Sequence, residues 1–272
     1  MDFSTIKVST QTFIVRSNIL NVNLVQLFNL TNFDKVIIGV KYKNEEKGGI
    51  KTESKKNKNF LNCVTLSIMC DKKINVKIFN NGVFQLTGCK EIKHVKTSLE
   101  IIYKLFQMHQ CFTFQSDDKD LKIYIISAMR NVDFDLGFKV DRKLLGIYID
   151  ENTEYNVPPL TTGYMGVKIK IPLKNIHDLE ILKISYPEKE ETSITYKHYF
   201  ENIEPSLKKL YKKSFISISV FQNGKVLMSG IDFQYQIPIY HWFIDLINEI
   251  KPKVCIPTIE KKSFKHLKVK NK

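Results

Sequence analysis

The sequence predicts an α+β protein built from two related halves, and three observations support this prediction. One segment occurs twice, as V-K-I-F-N-N-G-V-F-Q-L-T-G at residues 76–88 and as S-V-F-Q-N-G-K-V-L-M-S-G at residues 219–230. Each copy joins two apolar runs through an Asn-Gly pair, which is the pattern of a β-hairpin. A run with helical spacing follows each copy, so a hairpin that leads into a helix is present twice.

The two Asn-Gly pairs, Asn81-Gly82 and Asn223-Gly224, predict the turn of each hairpin. Asparagine and glycine both tolerate a positive φ, which a type I′ turn requires at its two central residues. We therefore expect a tight type I′ turn in each half.

The first half contains three further predicted strands, at residues 5–17, 36–43 and 60–69, because these runs are rich in β-branched and alternating apolar residues. Apolar residues every three or four positions predict helices at 20–30 and 91–107. The polar residues 44–59 predict a solvated loop. The buried stripe of the second helix would consist of Ile92, Val95, Leu99, Ile102 and Phe106.

The second half repeats this order after a polar join at residues 115–120, with strands predicted at 121–132 and 162–171 and a helix at 141–149. A closing helix within 232–250 would bury Ile239, Trp242, Phe243, Leu246 and Ile250. Residues 172–214 have no counterpart in the first half, and a helix is predicted there from Pro205 through Tyr211. The chain therefore divides into a first repeat (1–110), a second repeat (111–250) with an insertion (172–214), and a basic tail (251–272).

The composition favours a polyanionic partner. The 272 residues carry a net charge of +14, and clustered lysine and arginine side chains gain free energy when nucleic acid releases its counterions. A membrane surface or simple solubility would explain the same charge. Five cysteines without a C-x-x-C pair argue against a disulfide framework or zinc module and for a reducing compartment. The absence of a signal-peptide core predicts an intracellular protein.

Catalytic motifs are missing from the sequence. The six histidines are dispersed, and no P-loop, G-x-G-x-x-G or G-x-S-x-G occurs. Acidic residues at 117, 118 and 120 have no histidine cluster beside them, so a solvated loop is the better interpretation than a metal site. We therefore predict no enzymatic activity, no cofactor or metal, no small-molecule substrate and no membrane partner.

The repeated segment resembles one known family. I-F-N-N-G-V-F-Q-L-T-G and V-F-Q-N-G-K-V-L-M-S-G look like the I-F-x-S-G-K-x-V-x-T-G that the TATA-box-binding proteins have in both repeats. The similar organisation extends over residues 5–250, with lysine-rich insertions like those of homologues from large DNA viruses and some protists. The resemblance implies a saddle, in which a curved antiparallel sheet sits with its concave face on the minor groove and carries helices on its convex face.

The resemblance also implies a function. Members of the family initiate transcription: they bind and bend A·T-rich promoter DNA and recruit a transcription factor IIB-like factor and the RNA polymerase machinery. The expected location is a nucleus, or a viral factory or virion if the gene is viral. The insertion at 172–214 falls where the family binds that partner, so we expect it to replace or reshape the partner contact.

Site residues follow from the resemblance by position. Wedges that unstack base steps would be Phe79 and Phe221 before the turns, with Tyr164 and Leu61, or its neighbour Phe60, at the start of the third strands. The groove floor would be formed by Thr87, Ser229, Leu227, Ile6 and Ile125, and phosphate would be bound by Lys225, Lys168 and Lys170. The family has an asparagine in each first strand, where this chain is aligned with Ile6 and Ile125, so the resemblance does not extend to the residues that read the central bases.

Other interpretations remain open at this point. A phenylalanine on a strand is usually a core residue, and the lysines of the tail are more often a nonspecific electrostatic arm than a specific contact. Two other functions fit a basic, repeated α+β chain. One is a sliding-clamp-like replication protein, and the other is an interaction module that keeps the saddle but has lost DNA binding.

Overall fold

A computed structural model describes residues 3–48, 62–114, 120–158, 166–173, 176–203 and 215–257. In the first repeat the strands are β1 (Val8–Ser17), β2 (Ile19–Val22), β3 (Ile37–Tyr42), β4 (Glu45–Gly48), β5 (Cys63–Met69), β6 (Lys73–Phe79) and β7 (Val83–Cys89). Its helices are α1 (Leu24–Leu30) and α2 (Ile92–His109).

The second repeat has the strands β8 (Phe112–Phe114), β9 (Leu121–Asp135), β10 (Gly166–Pro172), β11 (Glu180–Tyr186), β12 (Glu190–Thr195), β13 (Phe215–Phe221) and β14 (Lys225–Gly230). Its helices are α3 (Arg142–Asn152), α4 (Tyr196–Glu201) and α5 (Phe233–Val254).

Twelve of the described strands form one large antiparallel sheet that organises both repeats, with β1 and β9 paired at its centre. Outward from β1 the order is β7, β6, β5, β3 and β4, and outward from β9 it is β14, β13 and β10. Equivalent strands of the two repeats therefore lie at mirrored positions about the central pair. The predicted α+β fold with two related halves is confirmed.

Both predicted hairpins form, but with a different turn. The backbone N–H of Gly82 donates to the carbonyl of Phe79 (3.2 Å), and that of Gly224 to the carbonyl of Phe221 (3.0 Å). Only the glycine of each Asn-Gly pair has a positive φ, +71° at Gly82 and +88° at Gly224. The type I′ prediction is therefore wrong, because a type I′ turn would place the asparagine in the left-handed region as well. A four-residue turn closed by a left-handed glycine is typical of longer hairpin loops.

Helices cover one face of the sheet and create one core per repeat. In β6 the side chains of Ile74, Val76 and Ile78 are fully buried, while the intervening residues point to the other face. The predicted stripe of α2 is confirmed except for Ile92, which is exposed. In α5 the buried residues include Phe243 and Ile250, as predicted, whereas Ile239, Trp242 and Leu246 are only half-buried.

Short strands replace parts of two predicted segments. The helix predicted from residue 20 begins only at Leu24, because the Asn23 side chain accepts a hydrogen bond from the backbone N–H of Gln26 and caps it there. The residues before it form β2, which pairs with β8. The predicted loop after residue 44 begins with β4, which pairs with β3.

The insertion contains a hairpin that joins the central sheet. Strand β11 pairs with the N-terminal half of β9, from Leu182 opposite Ile125 to Tyr186 opposite Leu121. Ile184 and Tyr186 are buried in the core of the first repeat. The helix predicted from residue 205 lies outside the described residues.

The same hairpin contacts helix α2 of the first repeat. The rings of Tyr103 and Tyr186 stack with centroids 4.6 Å apart. Lys96 Nζ lies 2.6 Å from Glu191 Oε2, and Lys189 Nζ lies 3.1 Å from Glu100 Oε1. The insertion of one repeat is thus fastened to the long helix of the other.

The C-terminal helix α5 continues to Val254, four residues beyond the predicted end of the second repeat. Residues 258–272 of the predicted basic tail are outside the described part of the chain. Among the helices that the structure describes, none is long and apolar enough to cross a membrane.

Candidate nucleic-acid interface

The face of the sheet opposite helices α2 and α5 carries most of the predicted site. We call it the front face, and define it by the residues that alternate with the buried core positions of the strands: Thr12, Phe79, Thr87, Asn131, Phe221 and Ser229. Residues directly opposite one another in an antiparallel pair share a face, so the register assigns the remaining side chains.

Phe79 and Phe221 occupy equivalent places on the front face. Each ends its strand immediately before the turn, and each is half-buried. Phe79 is opposite Cys63, and Phe221 is opposite Gly166. A Cβ atom on Gly166 would lie 3.2 Å from the ring of Phe221, so that ring rests directly on the glycine backbone. Burial raises the pKa of the Cys63 thiol beside Phe79. Each ring therefore has a small residue next to it on the adjoining strand.

Small hydroxyl residues lie between the two rings. Thr87 is opposite Thr12 on β1, and Ser229 is opposite Asn131 on β9. Leu227 is half-buried on the same face, opposite Asp133. The predicted floor residues Thr87, Ser229 and Leu227 thus share one face, where their short or apolar side chains leave room for a close approach.

Two residues predicted for the groove floor do not lie there. Ile125 is buried in the helix-side core with 3% of its surface exposed, opposite Val15. Ile6 precedes β1 and packs against the core of the second repeat. Both assignments are wrong. The register between β1 and β9 shifts between Thr12 and Phe13, so the face that a residue occupies cannot be counted through this point.

Sequence reasoning missed Asn131 at the centre of the front face. Its Nδ2 donates to Thr10 Oγ1 at 2.9 Å, and its Oδ1 is buried without a hydrogen-bond partner among the described residues. Val132 and Phe134 are buried on the helix side, so alternation backward from them to Asn131, which lies within the strand predicted at 121–132, would have placed Asn131 on the front face.

Basic side chains surround this centre. On the front face of the described strands they are Arg16, Lys41, Lys73, Lys77, Lys122, Lys168, Lys170, Lys183 and Lys225, and the acidic ones are Glu46, Asp133, Asp135 and Glu190. Lys41 pairs with Glu46. Lys225 Nζ lies 3.3 Å from Asp135 Oδ2. A hydrogen bond from the Gly137 N–H, helped by Lys225, lowers the pKa of Asp135. The face is basic overall.

Lys168 and Lys170 lie where the sequence predicted them, on the outer strand β10. They alternate with the buried residues Val167, Ile169 and Ile171, and are opposite Ser219 and Ser217. The Nζ of Lys170 lies 5.5 Å from the ring centroid of Phe215. Both lysines therefore belong to the rim of the front face.

The insertion covers part of the front face. Ile126 is 7% exposed because it packs with Leu179, Ile181, Tyr196 and Tyr199. The ring of the neighbouring Tyr124 contacts that of Tyr199, with centroids 5.1 Å apart. The N-terminal half of β9 is thus closed, whereas its C-terminal half with Asn131 belongs to the accessible centre.

Three predicted wedge residues, Tyr164, Leu61 and Phe60, lie outside the described residues, so the structure does not place them. Within the described ranges no three His, Cys, Asp or Glu side chains are grouped to hold a metal ion.

Comparison with known proteins gives a sequence match to the family named above. No family model matches the chain. A protein of Acanthamoeba polyphaga mimivirus named "TATA-box-binding protein-like" is 30% identical to it over 136 residues. The chain is similar to this relative over the matched segment. The match comprises 44% of this chain and only 36% of the relative, so the chain spans about a third of the relative's length.

A solved structure is also similar. It is the TBP of Methanococcus jannaschii, which has 12% sequence identity and a TM-score of 0.48, with 90% of this chain and 98% of that chain covered.

Proposed function

We propose that this TATA-box-binding-protein-like chain is a transcription initiation factor that binds A·T-rich promoter DNA in the minor groove and bends it. The observation that supports the proposal is the pair of half-buried phenylalanines, Phe79 and Phe221, at equivalent positions of one sheet face. Minor-groove proteins kink DNA by inserting apolar side chains between base steps, and a symmetric bend needs two such insertions.

The centre between the phenylalanines suits the floor of an A·T minor groove. That floor presents only acceptors, adenine N3 and thymine O2, whereas a G·C pair adds an amino group that projects into the groove. Thr12, Thr87, Ser229 and Asn131 offer hydroxyl and amide donors on short side chains. A surface of this kind prefers A·T pairs without distinguishing A·T from T·A.

The basic rim suits the two phosphate backbones. Lys168 and Lys170 on β10 and Lys73 and Lys77 on β6 lie on opposite sides of the centre. Each phosphate that such a cation neutralises releases condensed counterions, so affinity should fall with salt in proportion to the number of contacts.

The proposal predicts that the two ends of a short duplex approach one another when the protein binds. The measurement is fluorescence energy transfer between dyes on the ends of a duplex with an A·T-rich core, with a G·C-rich duplex as the control. We expect a large increase in transfer for the A·T core and a smaller one for the G·C core, at salt concentrations that permit binding to both. Binding without any change in transfer would contradict bending and favour the clamp or the interaction module.

We further propose that the insertion forms the contact with a transcription factor IIB-like partner that leads to the polymerase machinery. Glu188 and Glu190 are exposed near the tip of the β11–β12 hairpin, on a chain whose net charge is +14. Acidic side chains are repelled by DNA phosphate and attract a basic protein surface.

Deletion of the insertion would be a poor test of this contact, because Ile184 and Tyr186 belong to the core of the first repeat. The substitutions Glu188→Lys and Glu190→Lys change only exposed charges. We expect them to weaken coprecipitation of the transcription factor IIB-like protein from the same source at least tenfold and to leave DNA bending unchanged. The matched control is Glu151→Lys with Glu249→Lys, two exposed acidic residues on α3 and α5. Equal binding by both double variants would exclude the hairpin as the contact.

A further inference from the structure

A pocket of about 840 Å³ opens at one corner of the second repeat, beside the ring of Phe221. Its lining includes Asp133, Lys139, Arg142, Phe221, Lys225 and Leu227. Three cations therefore face the pocket against the lining carboxylate of Asp133 and the carboxylate of Asp135, which pairs with Lys225. Phe221 and Leu227 are front-face residues. The pocket continues the front face around the second hairpin turn.

The fold holds these cations in place by backbone contacts. Lys139 and Arg142 flank Val140, whose N–H donates to the carbonyl of Gln222 at 2.9 Å. The N–H of Leu136 donates to the carbonyl of Gly224 at the same distance. The segment that carries Lys139 is thus bonded to the turn that precedes Lys225, so the backbone positions of these two exposed lysines keep a defined separation.

The corresponding corner of the first repeat has no cation at these positions. There the N–H of Val22 donates to the carbonyl of Asn80 at 2.7 Å, which makes Val22 the equivalent of Val140. Counting from this pair, the residues that match Lys139 and Arg142 are Asn21 and Leu24. Val83 follows the first turn where Lys225 follows the second. The cationic corner is therefore a property of the second repeat alone.

We propose that Lys139, Arg142 and Lys225 hold a phosphodiester group of the DNA strand next to the base step that Phe221 opens. This inference rests on the proposed minor-groove binding. Arginine binds phosphate oxygens through paired N–H donors, and lysine adds a mobile point charge. Because the first repeat lacks this corner, the phosphate contacts of the complex are unequal at its two ends, and the protein binds a duplex in a preferred direction.

The test compares two double variants. The corner variant combines Lys139→Gln and Arg142→Gln. The control loses the same charge by combining Lys90→Gln and Lys104→Gln, at exposed lysines that lie just before helix α2 and on it. The measured quantity is the slope of log affinity for the A·T-core duplex against log salt concentration. Each phosphate contact contributes about −0.9 to this slope. We expect the slope of the corner variant to be reduced by about one contact, because its cations share one phosphodiester group, and the control to keep the wild-type slope. The conservative variant Arg142→Lys should retain most of the wild-type slope.

A second duplex series, with neutral methylphosphonate linkages in one flank at a time, identifies the ligand. Neutralising the flank next to the Phe221 step should weaken wild-type binding about tenfold and weaken the corner variant, which has already lost two of the three cations, by a clearly smaller factor. Normal DNA binding with equal slopes for the corner and control variants would overturn the phosphate site while the proposed function stands, and would leave the corner to an acidic protein segment. Failure of the wild-type protein to bind any duplex would overturn both.

Discussion

Replacing Phe79 and Phe221 together by alanine is expected to abolish DNA bending. Each ring that enters the duplex would be removed from water, which is worth about 2 kcal/mol. Loss of one ring should therefore weaken binding about 30-fold, and loss of both should leave only the salt-dependent attraction of the basic rim. Energy transfer between the ends of an A·T-core duplex should then stay at the value of free DNA, even at protein concentrations that saturate it.

Three controls separate this effect from damage to the fold. Leucine at both positions keeps an apolar body, so Phe79→Leu with Phe221→Leu should retain most of the bend. Phe33, an exposed phenylalanine between α1 and β3, provides an equal truncation outside the strands of the sheet, and Phe33→Ala should bend DNA normally. Circular dichroism of the alanine variant verifies that it is folded. Bending by a folded double alanine variant would show that these rings are not wedges.

Gly224→Ala is expected to be the most destabilising single substitution at a glycine. A Cβ atom at Gly224 would lie 2.2 Å from the carbonyl oxygen of Phe138, and the residue has a φ of +88°. The clash involves backbone, which the hydrogen bonds of the segment after β9 hold against the turn. We expect urea denaturation to show a loss of about 3–5 kcal/mol in the free energy of unfolding.

Gly137→Ala is the matched control for this prediction. Gly137 has a φ of +76° in the same loop region, but no atom lies within 4 Å of its would-be Cβ. Alanine there has only the cost of a left-handed backbone, about 1 kcal/mol. If the two variants lost equal stability, backbone strain alone would account for both, and the close approach of Phe138 to the turn would be refuted.

Local signals in the sequence were sufficient for the hairpins and for the rings that precede them. Phe79 and Phe221 each precede an Asn-Gly pair within a few residues, so their equivalence needs no knowledge of the rest of the fold. The same holds for Lys168 and Lys170, whose alternation with buried residues is visible in one short strand.

Long-range features could not be predicted in this way. The irregular pairing near Met129 switches the face of β9, which explains why Ile125, placed on the front face from the resemblance by position, lies on the helix side. The strand β11 was not predicted although Leu182, Ile184 and Tyr186 alternate with polar residues, because the first half offers no counterpart for it. The cationic corner also depends on a contact between residues distant in the sequence, since Val140 and Gln222 are neighbours only in the folded chain.

The hairpin of the insertion has a consequence for self-association. Along β9, strand β14 covers only the C-terminal part, from Arg130 to Asp135. Without β11, the residues from Leu121 to Ile125 would present unpaired N–H and C=O groups, which can template pairing with another copy of the chain. Within the described residues β12 takes over this edge, and it begins with Glu190 and Glu191. Charged residues at an open edge discourage such pairing, so the insertion protects a central strand from aggregation.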